Sequence, residues 1–214
     1  MTMRKSTLRI ITTAAVVLVL LLIGFYTASY VVDEAEQAVI VQFGDPQGEP
    51  VTEPGLHFKI PFVQEVRRFD KRLLVWDGDP NQIPTEGREF ISVDTTARWR
   101  IDEPITFLES VTNEQGGQSR LDDILDSVVR DNISSTPLTE IVRSKGWQMT
   151  EEDLERAMVA AERKEEELLK EVQRGRQALV EDILAGAREL TPQYGIELVD
   201  IRITRLNYIP SVRE

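Results

Sequence analysis

The chain contains no cysteine and only one histidine, His57, among its 214 residues. Without cysteine it has no disulfide scaffold, no thiolate nucleophile and no thiolate metal site. A single histidine excludes metal sites built from several imidazoles and leaves at most one histidine-based catalytic group. Composition therefore argues against most of the familiar enzyme and metal-binding chemistries.

Basic residues are scarce beside acidic ones: 25 Lys and Arg against 37 Asp and Glu give a formal net charge of −12. Nucleic acid binding needs a basic surface, so we expect no nucleic acid partner. The charge is also unevenly placed. Residues 1–32 hold three basic residues and no acidic one, which leaves a net charge of −15 on residues 33–214.

One long apolar run lies near the N-terminus, where the 23 residues 10–32 carry no charge. As a helix they would reach about 34 Å, enough to cross a hydrocarbon core of ~30 Å. We therefore predict a transmembrane anchor over residues 10–32, with Tyr26 and Tyr30 at the far interface. Its representative positions are Ile10, Leu20, Leu22, Tyr26 and Val32.

The charges that flank this run are asymmetric: Arg4, Lys5 and Arg9 before it, then Asp33, Glu34 and Glu36 after it. The positive-inside rule keeps residues 1–9 cytoplasmic and sends residues 33–214 across the membrane. The alternative is a signal peptide cleaved near the small residues 27–29. The run exceeds the ~7–15 apolar residues of a signal-peptide core, so we favour an uncleaved anchor.

Residues 33–115 are expected to form a strand-rich first subdomain. β-branched and aromatic residues predict strands over 37–43, 56–60 and 73–76. The clearest pattern is the strict alternation over residues 91–102, which predicts a strand with one face on a core and one in water. The inward face is predicted to consist of Ile91, Val93, Thr95, Ala97, Trp99 and Ile101.

A second subdomain is expected over residues 118–206, with Gly116 and Gly117 as the joint. Apolar residues from Leu121 to Val129 recur at helical spacing, and we expect the aspartates opposite them to be solvated, with an Asp126–Arg130 ion pair. Thr136 is predicted to cap a short helix.

A helical insert is expected over about 150–190. It opens on a capping box at 150–153 and includes a weak coiled-coil pattern over 154–172. The chain should then form a strand over 196–203, with a bulge between Leu198 and Val199 where the apolar phase shifts. The predicted class is α+β, an N-terminal transmembrane helix followed by two subdomains with antiparallel sheet and packed helices.

The sequence offers no convincing catalytic, cofactor or metal site. His57 could be a general base, and Ser144 beside Lys145 could suggest a nucleophile, but there is no Gly-x-Ser-x-Gly elbow. Phosphate-loop, dinucleotide and EF-hand spacings are also lacking. One apolar segment near the anchor has two interpretations: a core strand, or a loop that enters the outer leaflet. Its membrane-contacting residues would be Phe58, Lys59, Ile60, Pro61 and Phe62.

Four segments in this order carry a family resemblance: 34–44 after the anchor, 53–62 with the string PGLHFKIPF, 93–101, and 195–208. Together they resemble the stomatin/prohibitin/flotillin/HflK-HflC superfamily, also called SPFH or band 7, and within it the HflC branch most closely. The resemblance spans nearly the whole chain, and the 54–62 string is its most specific part.

The resemblance implies a non-catalytic scaffold in the bacterial inner membrane, with its bulk in the periplasm. It implies assembly with an HflK-like partner and modulation of an FtsH-like membrane AAA protease, with residues 58–62 as a membrane-facing loop on the lipid bilayer. Family members continue into a long C-terminal helix, so residues 207–214 are expected to begin it, with the rest truncated. The alternatives are a general lipid-microdomain scaffold and a membrane-tethered periplasmic hydrolase using His57 or Ser144.

Overall fold

The computed structural model describes residues 3–146 and 172–208. A long N-terminal helix leads into a run of strands, which is followed by helices and one last long strand. In chain order the elements are α1 (Met3–Ala28), β1 (Ser29–Val32), β2 (Glu36–Gln42), β3 (Asp45–Val51), β4 (Gly55–Phe58), β5 (Gln64–Asp70), β6 (Leu74–Asp77), β7 (Asn81–Pro84), β8 (Phe90–Ile101), α2 (Pro104–Val111), α3 (Glu114–Ser134), α4 (Leu138–Val142), α5 (Gly175–Leu190), a 3₁₀ turn (Pro192–Tyr194) and β9 (Ile196–Tyr208).

The apolar helix ends at Ala28, four residues before the boundary expected from the sequence. Its segment Arg9–Ala28 is apolar and long enough to cross a membrane, and no part of it is buried inside the protein. The prediction that the span reaches Val32 was wrong, because Ser29–Val32 forms β1 and pairs with β4. The side chains of Tyr30 and Val32 are buried within the protein, at 7% and 1% exposed. Tyrosine and the two valines favour an extended backbone, and pairing with β4 provides their hydrogen bonds.

Two small antiparallel sheets follow the helix. One pairs β1 with β4, and the other has the order β3-β2-β5. The strand predicted over 37–43 is confirmed by β2. The strand predicted over 56–60 is shorter than expected, because β4 ends at Phe58 and residues 59–63 form a turn into β5. A small apolar cluster of Tyr30, Val32 and Ala38 joins the two sheets.

The main sheet is built on β8. Strands β6 and β7 pair with one edge of β8, and β9 pairs with the other along its whole length. The predicted alternation in β8 is confirmed, because all six expected inward residues are buried. The bulge in β9 is confirmed too: Trp99 pairs with Leu198 and Arg98 with Asp200, so Val199 is the extra residue.

The last strand is longer than the sequence suggested. Asn207 and Tyr208 pair with Ser92 and Ile91, so these two residues continue β9 and do not begin a helix as expected. Residues 209–214 of the expected helix start lie outside the described residues. Continuous pairing with the long strand β8 explains the extension, since β8 offers β9 partners as far as Ile91.

The glycine pair expected as a joint lies inside α3, which begins at Glu114. Gly117 is buried, and there is no room for a side chain at this position. A Cβ there would come within 2.8 Å of the Phe107 ring and 3.3 Å of the Trp99 ring. The main core also draws on both predicted subdomains, with Val39 and Phe69 on one side and Leu125 and Ile183 on the other. Residues 116 and 117 therefore serve close packing instead of separating two units.

Some local predictions in the helical region differ from the structure. Asp126 is not paired with Arg130, since its carboxylate accepts a hydrogen bond from the Asn81 amide at 3.0 Å. Asp122 likewise accepts one from the indole of Trp76, so these aspartates tie α3 to the strand edge. The cap of the short helix α4 is Pro137, and the Thr136 hydroxyl donates to the carbonyl of Asn132 instead.

The second half of the predicted insert is confirmed as α5, which begins at Gly175. The capping box at 150–153 and the coiled-coil pattern lie outside the described residues, apart from Val172, which is buried. The entry to α5 is held by Glu140, whose carboxylate accepts backbone N–H groups from Gln173, Arg174 and Gly175 at 2.7, 3.0 and 2.6 Å. Burial raises the pKa of Glu140, but these three donors and the charge of Arg174 together outweigh it and hold that pKa below its ordinary value.

We predict that Gly117→Ala destabilises the protein by about 1–3 kcal/mol through overpacking, although alanine is the better helix former. The neighbouring exposed residue gives a matched control, and Gln118→Ala should stay within about 0.5 kcal/mol. Thermal or chemical unfolding of the purified chain in detergent measures both. Equal stability of the two variants would contradict the packing role of Gly117.

A second prediction concerns pH. Because the folded-state pKa of Glu140 is lowered, its contribution is complete above the ordinary glutamate pKa of about 4.3 and disappears as the pH falls through the folded value. Glu140→Gln should therefore lower stability by about 1 kcal/mol at pH 7, as for a lost helix cap. The difference should shrink in acid. Glu109→Gln, which removes a carboxylate at an exposed position on α2, is the matched control in the same unfolding curves.

Candidate membrane-contact site

The two candidate catalytic residues lie in different elements of the fold. His57 lies on β4, where its Nε2 is 2.9 Å from the carbonyl oxygen of Glu53 and its ring centroid is 5.7 Å from that of Tyr30. Ser144 lies in the loop after α4, beside Gly175 at the start of α5. Within the described ranges no group of three or more His, Asp or Glu side chains could hold a metal ion.

The segment 58–62 emerges beside the end of the apolar helix. Its apolar side chains Phe58, Ile60 and Phe62 are exposed, and Phe62 is the extreme case at 95%. Lys59 and Pro61, between them, are partly buried. Large apolar groups placed so close together on a surface point to an interaction site.

Hydrogen bonds fasten this segment to the last turn of α1. The N–H of Lys59 donates to the carbonyl of Ala28 at 2.7 Å, so a carbonyl left without a partner at the helix end gains one. Phe58 pairs with Ser29, and its ring meets the Phe25 ring edge-on at 5.7 Å. The segment is therefore level with the end of the span Arg9–Ala28.

Gln64 shapes the turn that follows. Its N–H donates to the carbonyl of Ile60 at 3.0 Å, and its side-chain Oε1 accepts the N–H of Ile60 at 2.7 Å. Phe62, at the tip, has φ of 65°, in the left-handed region that bulky residues rarely adopt. The turn thus presents an apolar ring outward at a cost in backbone strain.

A second exposed aromatic at the same end of the sheet was missed by the sequence interpretation. Phe43, in the turn between β2 and β3, is 85% exposed and has φ of 55°. The sequence signal was an aromatic residue directly before Gly44 at the end of a predicted strand. That position alone does not distinguish an exposed tip from a core residue, which is why Phe43 was assigned only to the strand.

The outer face of the main sheet carries ion pairs between neighbouring strands. Two salt bridges join β8 to β9 on this face: Arg98 pairs with Asp200, and Arg100 pairs with Glu197. The hydrogen bonds and charge of Arg98 hold the pKa of Asp200 below its ordinary value, against a smaller effect of burial. Cross-strand ion pairs therefore mark this face, whereas exposed aromatic rings mark the 58–62 segment at the end of the helix.

Several curated proteins are similar to this chain over most of its length. "Protein HflC" of Treponema pallidum (strain Nichols) is 34% identical over 84% of this chain, and that of Borreliella burgdorferi is 31% identical over 98%. "Modulator of FtsH protease HflC" of Escherichia coli (strain K12) is 27% identical over 99%. The alignments cover 56%, 64% and 66% of these relatives, so the chain spans less than two thirds of their length.

A family model gives the broader assignment. The model described as "SPFH domain / Band 7 family" matches residues 30–214, that is, from within β1 through β9 to the last residue. The matched region contains the small sheets, the main sheet and the packed helices. It also agrees with the resemblance of residues 34–44, 53–62 and 93–101. The chain belongs to the SPFH domain / Band 7 family.

Proposed function

We propose that this chain is a non-catalytic, membrane-anchored scaffold of the HflC type, which assembles with an HflK-like partner and modulates an FtsH-like membrane AAA protease. The observation that carries the proposal is its similarity, over nearly its whole length, to a protein named as a modulator of FtsH protease.

The membrane arrangement belongs to the same proposal. Helix α1 crosses the bacterial inner membrane once, with its N-terminus cytoplasmic and residues from 29 onward in the periplasm. Arg9 before the apolar span and Asp33 after it support this direction through the positive-inside rule. Residues 58–62 then contact the outer leaflet, because they lie level with the helix end and expose Phe58, Ile60 and Phe62.

A general lipid-microdomain scaffold is the second candidate. The exposed apolar site beside the helix favours it, since contact with lipid requires no protease partner. The two candidates differ in what the chain does when expressed alone. Sedimentation of the detergent-solubilised chain separates them, since self-assembly without an HflK-like protein favours the microdomain scaffold.

We predict that a tagged copy of the chain, extracted from its native membrane in mild detergent, recovers an HflK-like protein and an AAA protease. An unrelated single-span inner-membrane protein with the same tag is the control. The purified chain should alter the rate at which the protease degrades a membrane substrate and should cleave nothing by itself. The double variant with His57→Ala and Ser144→Ala should behave like the parent, because neither residue has a catalytic role. Recovery of neither partner would count strongly against the proposal.

Orientation has its own test. Protease added outside spheroplasts should digest the region after residue 33 and leave a tag at the N-terminus intact. Inverted membrane vesicles should give the reverse pattern, with the tag removed and the large domain protected. A large domain that is protected in spheroplasts would place the bulk in the cytoplasm and contradict the proposed direction.

A further inference from the structure

We infer that Phe43 is a second lipid-contacting tip, separate in sequence from residues 58–62, and that the domain meets the bilayer surface through both turns. This inference rests on the proposed membrane anchoring and adds a contact to it. The ligand is the apolar part of the outer leaflet. Nothing in the sequence pattern assigned this role to Phe43.

Strand directions place Phe43 on the membrane side. β1 leads away from the helix end and β4 returns antiparallel to it, so the turn after β4 faces the bilayer. β5 leads away again from that turn. β2 is antiparallel to β5, with Gln42 opposite Gln64, so β2 ends where β5 begins. Phe43 follows Gln42 directly and therefore lies at the same end of the sheet as Phe62.

A side-chain bridge joins the two turns. Gln64 accepts the N–H of Ile60 through Oε1 and donates through Nε2 to Oε1 of Gln42 at 3.2 Å. One glutamine thus contacts the residue two before Phe62 and the residue directly before Phe43. The two aromatic tips are held as a unit, which suits a contact with a flat surface.

Phe43 combines two unfavourable features, an apolar ring exposed to solvent and a backbone conformation in the left-handed region. Its side chain is 85% exposed, and its backbone has φ of 55°, which a residue with a bulky side chain rarely adopts. Phe62 has the same combination. Strain retained at an exposed apolar residue suggests a function, and two matching cases at one end of a sheet suggest a shared one.

The charges near these tips argue for an apolar contact instead of attraction to anionic headgroups. Asp45 pairs with Gln42, and Glu65 with Val41, so acidic residues lie beside both turns. Lys59 is the basic residue of the 58–62 segment, and Arg67 is paired with Glu65 at 3.3 Å. The contact should therefore form on zwitterionic lipid and depend little on salt.

The natural lack of cysteine allows a direct test. Single variants Phe43→Cys, Phe62→Cys and Val75→Cys in the full chain are labelled with an environment-sensitive fluorophore and reconstituted into phosphatidylcholine vesicles. A fraction of the lipid carries a nitroxide on the acyl chain near the headgroup. Val75, exposed on β6 of the main sheet, is the matched control. We expect the labels at 43 and 62 to be quenched to within about twofold of each other and several-fold more than the label at 75.

The outcomes separate the two claims. Strong quenching at 62 with quenching at 43 no greater than at 75 would overturn the inference and leave the 58–62 contact standing. Weak quenching at all three would overturn both contacts, while partner recovery would still test the scaffold proposal. As a second measurement, Phe43→Asn in detergent should unfold at the parent temperature or higher, because asparagine tolerates positive φ. A clear fall would assign Phe43 to protein packing and overturn the inference.

Discussion

The pairing of β1 with β4 directly after the apolar helix is the constraint on which the rest of the structure depends. It begins at the first residue after the helix, with Ser29 opposite Phe58, and the N–H of Lys59 donates a hydrogen bond to the carbonyl of Ala28. A flexible linker would let the domain rotate freely about its anchor. Here β1 follows the helix directly, and the domain itself satisfies the Ala28 carbonyl, where an unsatisfied one near lipid would be costly. Helix and domain therefore share one orientation.

That orientation is passed on from the small sheets to the main one by buried contacts. Gln37 on β2 is almost fully buried, and its amide donates to the carbonyl of Ile101 at the end of β8 at 2.8 Å. The Phe69 ring on β5 meets the Phe107 ring on α2 edge-on at 5.5 Å. A buried amide has to keep its partner, and packed rings resist sliding, so these contacts hold the sheets in one arrangement.

The sequence predicted the parts of the fold that depend on local pattern. Strict alternation identified β8, and the change of apolar phase at Leu198 and Val199 identified the bulge. It failed where one composition suits two environments. Val32 is equally apolar in lipid and in a core, so the run could not show where the helix stops. Gly117 was interpreted as a joint because no local pattern shows that the Phe107 ring leaves no room for a side chain at this position. At the candidate site, the segment 58–62 could be predicted from its run of apolar residues. The position of Phe43 beside it depends on the register of β2 and β5, which no local pattern reveals.

The bulges of β9 show how the fold reconciles a long strand with a packed helix. β9 has an extra residue at Val199 and another at Thr204, and each one shifts the register of its pairing with β8. Two arginines of α5 contact the strand there: Arg188 donates to the carbonyls of Leu198 and Val199, and Arg176 to that of Ile203. These bonds satisfy carbonyls beside each bulge and fix α5 along the strand. Since Glu140 holds the start of the same helix, α4, α5 and β9 form one braced unit on the sheet. The position of Tyr208, at the end of β9, is therefore set by the same framework that is fastened to α1.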